Sequence, residues 1–178
     1  MTKKIDVREK TLNNRIMHSR IFQIADTQIE EDNFIDEMTI EVGATTSVDY
    51  TAEISEDERR LAIECLVNEW LPTGMFSLGT EPDTIVYNGG LDEWVRNEWL
   101  PKIRKSAGIL STHNIFQNLN ITRMKQLLDN ALGIGTLFYL AAENYQSFAE
   151  HSTAFMEYLN NFSAGQIFYI GGVLDYHW

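Results

Sequence analysis

The amino-acid sequence predicts a single α+β domain, with a mostly antiparallel sheet and about four helices packed on it. Strand-like patterning appears near the beginning, in the middle and at the end of the chain, so the sheet must gather distant segments. Amphipathic stretches at helical spacing lie between these segments. Strict strand–helix–strand alternation is confined to the last third, so only part of the sheet is expected to be parallel. With 178 residues, 44% hydrophobic and 11% aromatic, the chain can bury one core without covalent staples.

Residues 1–14 are polar and aperiodic and predict a flexible basic arm ahead of a single domain over 15–178. From Arg15 both alternating registers carry apolar residues, which predicts an interior strand over 16–25 with His18 in it. Residues 26–37 begin with Asp and end with Glu, as a calcium-binding loop does. However, Gln28, Glu30 and Glu31 stand where such a loop needs two short acids or amides and a turn-forming glycine. A solvated loop or a short acidic turn is expected there. Residues 38–42 and 48–54 alternate and predict a hairpin turning at Gly43, its wet face carrying Thr39, Glu41, Asp49, Thr51 and Glu53.

Ser55 followed by Glu58 is a capping-box signature for a helix running to Trp70. Short strands are expected at 75–78 and 84–87 around a turn at 79–83, and Asn88-Gly89-Gly90 turns into a helix over 91–106. Residues 111–119 read as loop or short helix, and Asn120 as the cap of a helix over 121–131. The nearly all-apolar run 134–141 predicts an interior strand, and a helix is expected over 145–161. The last stretch predicts one long bulged strand, or two short ones, broken at Gly171-Gly172.

One pentapeptide occurs twice, as Asn68-Glu69-Trp70-Leu71-Pro72 and Asn97-Glu98-Trp99-Leu100-Pro101. Each copy lies behind an amphipathic stretch, so Trp70 and Trp99 are expected as core anchors and the prolines as helix stops.

Net charge is −12 and unevenly distributed. Residues 1–24 carry six lysines and arginines against two carboxylates, residues 25–100 three against nineteen, and residues 101–178 five against five. An acidic surface of this kind repels nucleic acid and anionic membrane and steers a basic partner toward itself. The expected partner-binding residues are Glu30, Glu31, Asp32, Asp36, Glu37, Glu41, Asp49 and Glu53. No apolar run follows the N-terminus as a leader would require, and none is long enough for a membrane span, so a cytoplasmic location is expected.

Signals for chemistry are sparse. Cys65 is the sole cysteine, which excludes an internal disulfide and a multi-thiolate metal site. The four histidines show no metal-ligand spacing, and the glycine pairs lack the rest of a phosphate-binding loop, so no metal or cofactor is expected. Pro82-Asp83 begins a nuclease-like acid pattern, but the lysine that should complete it is missing. Asp175 and His177, expected on one face of a strand, are the nearest approach to a catalytic pair. The expected function is therefore a stoichiometric inhibitor or adaptor that docks an acidic face on a basic, nucleic-acid-handling protein. Immunity proteins and phage-encoded inhibitors work in this way. The alternatives are a structural subunit of a homo-oligomeric or viral assembly, and an enzyme with a site near the C-terminal strand.

Overall fold

The computed structural model describes residues 19–43, 48–140 and 149–177; the N-terminal arm and His18 lie outside them. Within the described residues the strands are β1 (Ser19–Ala25), β2 (Tyr50–Glu53), β3 (Phe76–Leu78), β4 (Thr84–Tyr87), β5 (Leu137–Leu140), β6 (Ala149–Glu150) and β7 (Ile167–His177). Helix α1 covers Glu56–Cys65 and ends in a π-helical turn, Leu66–Trp70. Helix α2 runs from Leu91–Trp94 through a second π-helical turn, Val95–Trp99, into Leu100–Ile109. Helices α3 (Asn118–Asp129) and α4 (Ser152–Leu159) complete the α+β domain.

The sheet order is β3-β4-β7-β1-β5-β6, and among the described residues only the β1–β5 pairing is parallel. β1 runs along one edge of β7, while β4 and β2 occupy successive parts of the other edge. Both faces of β1 are buried, which explains its two apolar registers: Phe22 and Ile24 face one core, Ile21 the other. The larger core lies under the helices. There Phe155 of α4 stacks on Phe138 at 4.5 Å between centroids, and Trp70 meets Phe22 edge-on. Each fully buried ring of this kind contributes about 2–3 kcal/mol. The smaller core joins Ile21, Leu137, Leu174 and Tyr176 to Ile35, Ile40 and Val48, so its cover is the acidic segment rather than a helix.

β7 is one long strand whose pairing with β1 shifts register between Phe22 and Ile24. Across the Gly171-Gly172 step, Ile170 and Val173 both enter the helix-side core, and Leu174 and Tyr176 enter the other. An extra residue in the ladder makes this odd spacing possible.

Four expectations are corrected. Residues 38–42 are not a strand. Asp36 Oδ1 accepts from the Met38 amide and from Thr39 Oγ1, closing an Asx-type turn, and β2 pairs with β7 instead. Thr51 is buried, since its hydroxyl donates to the Glu37 carbonyl beneath the acidic segment. Asn120 caps nothing: α3 begins at Asn118, and the Asn120 amide donates to the Asn114 carbonyl. The helix expected over 145–161 is described only over Ser152–Leu159, because Ala149 pairs with Tyr139 in β6; residues 145–148 lie outside the described residues.

The first proline of the repeat follows a helix end as expected, whereas the second does not. In both copies the leucine amide bonds to the carbonyl five residues back, Leu71 to Leu66 and Leu100 to Val95. This wide turn moves away the carbonyl that a proline ring would strike in an α-helix. After Leu71 the chain leaves the helix in extended conformation, whereas Leu100 stays helical and α2 continues through Pro101 to Ile109. Helix-breaking Thr73-Gly74 follows the first proline, and Lys102-Ile103-Arg104-Lys105 follows the second. The residues after the repeat decide whether the helix stops.

Candidate protein-docking face

The acidic segment is held against the sheet by buried polar groups. Gln23 projects from β1 toward it: Oε1 accepts from the amides of Ile35 and Gly172, and Nε2 donates to the Asn33 carbonyl at 2.9 Å. A Cβ on Gly171 would collide with the Gln23 side chain, and one on Gly172 with the Ile35 carbonyl. The two glycines are therefore required by the close approach of the segment to β7.

Arg59 provides a second anchor. Between the parts of β7 that pair with β4 and β2, its Nε donates to the Gly171 carbonyl at 2.9 Å and Nη2 to the Ile170 carbonyl at 2.7 Å. The guanidinium thus satisfies backbone acceptors on a stretch of strand edge that no neighbouring strand covers. It is buried, paired with Asp83 at 2.8 Å, and lies 5.2 Å from the ring centroid of Phe34 in the acidic segment. One side chain therefore fixes α1, β7, the turn before β4 and the acidic segment together.

On this scaffold all eight predicted carboxylate residues are exposed. Glu30, Glu31 and Asp32 lie in and before the 3₁₀ turn Glu31–Asn33, while Asp36, Glu37 and Glu41 follow it. Asp49 immediately precedes β2, and Glu53 ends it. Thr51 and Glu53 pair opposite Tyr176 and Leu174, two residues of the smaller core, so the alternation of β2 turns them toward the face that the acidic segment covers. Residues 26–53 carry nine carboxylates and no lysine or arginine. The Thr39 hydroxyl, followed by the amides of Met38 and Thr39, holds the Asp36 carboxyl below its ordinary range.

Sequence reasoning missed the apolar component of this region. Met38 is 86% exposed and Val42 47%, between and beside Glu37 and Glu41 in the chain. Apolar groups within a charged rim are the usual anatomy of a protein interface.

Elsewhere the signals for chemistry do not converge. Asp175 accepts from the Arg20 guanidinium across the β1–β7 pairing, and the His177 ring lies 5.8 Å from Tyr50. Among the described residues no three His, Cys, Asp or Glu side chains are grouped to hold a metal. An open cleft of about 680 Å³ lies between the chain after Pro72 and α2, lined in part by Asn88, Glu93, Trp94 and Glu98. It contains neither a nucleophile beside a base nor a histidine. Comparison with protein-family models, curated proteins and solved structures found no match.

Proposed function

We propose that the protein is a stoichiometric inhibitor or adaptor that docks its acidic face on a basic protein, with a nucleic-acid-handling protein as the expected class of partner. The observation that carries this reading is a preformed segment of exposed carboxylates, with Met38 and Val42 among them and no cation in residues 26–53. Its backing by Gln23 and Arg59 means that little ordering cost remains to be met on binding. The same charge disfavours direct contact with nucleic acid and with anionic lipid. No described helix is long and apolar enough to cross a membrane, and a cytoplasmic location accompanies the proposal.

Charge reversal provides the test. With a partner in hand, E30K/E31K/D36K/E37K should slow association by about tenfold at low salt and flatten its salt dependence, as expected when long-range attraction is removed. An unchanged association rate would place the docking surface elsewhere.

A further inference from the structure

We propose that the helical arm formed by the second half of α2 and by α3 docks on the acidic face of a second copy of this chain, so that copies associate head to tail. This rests on the proposed function, in which that face accepts a basic surface, and it identifies one such surface within the protein itself.

Among the described residues, the arm's side-chain hydrogen bonds to the rest of the domain lie at its base. Trp99 Nε1 donates to the Leu127 carbonyl at 3.2 Å, and Thr153 Oγ1 donates to the Leu128 carbonyl at 2.6 Å. Beyond that base, Leu100–Ile109 contains no buried residue, and no described side chain of α3 is buried. The half-buried positions Ile103, Ser106 and Leu110, and Met124 and Leu127, recur at helical spacing where the two helices meet. The remaining apolar side chains face water: Phe116 is 87% exposed, Leu119 70% and Ile109 60%. So much uncovered apolar surface on one projecting element marks a contact site.

The arm's charge identifies what would cover it. Residues 100–129 carry Lys102, Arg104, Lys105, Arg123 and Lys125 against the single carboxylate Asp129. Among the described residues none of these five cations takes part in a salt bridge. Residues 26–53 are the complement, with nine carboxylates, no cation and exposed Met38 and Val42. An anionic lipid surface would match the arm's charge but would also meet the net −12 of the whole chain. A second copy supplies both the opposite charge and an apolar counterpart. Because arm and face are different surfaces, the contact is heterologous and propagates into a ring or an open chain.

Sedimentation velocity on the full chain at low salt, across a range of concentrations, tests this with two variants. K102E/R104E/K105E reverses the arm, and E30K/E31K/D32K reverses the face; all six side chains are exposed, and circular dichroism checks that each variant folds. The wild type should self-associate, and do so less at high salt. Each variant alone should be monomeric. Mixed together they should associate again, because the intact arm of one variant meets the intact face of the other. F116S/L119S, with its charges untouched, should weaken wild-type association by about tenfold or more. A wild type that stays monomeric, or association that survives both reversals, overturns the proposal. So does binding to phosphatidylserine vesicles that K102E/R104E/K105E abolishes while the protein remains a monomer. A monomeric wild type leaves the acidic-face reading standing. That reading fails separately if E30K/E31K/D32K still captures the same basic proteins as the wild type.

Discussion

Arg59 shows how much of this fold depends on one polar side chain. It replaces strand pairing for two carbonyls of β7 and is paired with Asp83, so its removal leaves buried acceptors and a carboxylate without their partner. Arg59→Met should cost roughly 3 kcal/mol, and Arg59→Lys, which keeps the charge but loses the planar fork, roughly 1–2 kcal/mol. Urea unfolding at a constant m-value measures both; a lysine variant as stable as the wild type would show that the fork geometry is unimportant. Tyr176 makes a different prediction. Burial pushes its hydroxyl up to about 12, and the hydroxyl donates to the Gly135 carbonyl. Since the folded state resists ionisation, this contribution is intact below the ordinary tyrosine range and is lost as pH rises from about 10 toward 12. Tyr176→Phe should therefore be less stable at neutral pH by about 1 kcal/mol, with the gap to the wild type narrowing in alkaline solution. Parallel unfolding curves of the two proteins up to pH 12 would contradict the burial of this hydroxyl. At this scale the sequence was partly readable. The Ser55–Glu58 capping box is present as expected, because it is a local pattern. The roles of Gln23 and Arg59 were not readable, since the β7 groups they bind lie far away in the chain.

At the scale of elements, the repeated pentapeptide is best understood as a π-turn sequence whose outcome is set by the residues on its C-terminal side. Pro72 with Thr73-Gly74 ends α1, while Pro101 with a helix-forming run lets α2 continue and carry the arm outward. Trp99 anchors that arm, stacking on Trp94 at 6.1 Å between centroids while its Nε1 donates to the Leu127 carbonyl. Trp99→Phe should lose about 1 kcal/mol, and it should speed limited proteolysis within 100–129 more than elsewhere. Uniform acceleration along the chain would mean that Trp99 acts on the whole core rather than on the arm. Strong, long apolar patterns predicted their elements well: β1, β5, β7 and α1 lie close to their expected positions. The mistaken hairpin had a physical origin. Residues 38–42 alternate because Ile40 points into the smaller core from a loop, and an Asx-type turn can produce the same apparent period as a short strand.

Across the whole molecule, charge and packing divide the sheet. Helices cover one face with an aromatic core, and an acidic segment covers the other, held down by glycines, a glutamine and an arginine. The acidity was evident in the sequence, and so were the eight carboxylates. Their presentation on a pinned segment, with exposed Met38 and Val42 beside them, required the fold, because burial is decided by pairings that composition does not encode. The central claim is that this face selects basic proteins. It is tested most directly by affinity capture from a lysate of the source organism with mass spectrometry, comparing wild type with E30K/E31K/D36K/E37K at low and at high salt. A basic protein captured by the wild type at low salt, and lost both at high salt and with the variant, is the predicted result. Equal capture by both proteins, or no capture of any basic protein, would contradict it.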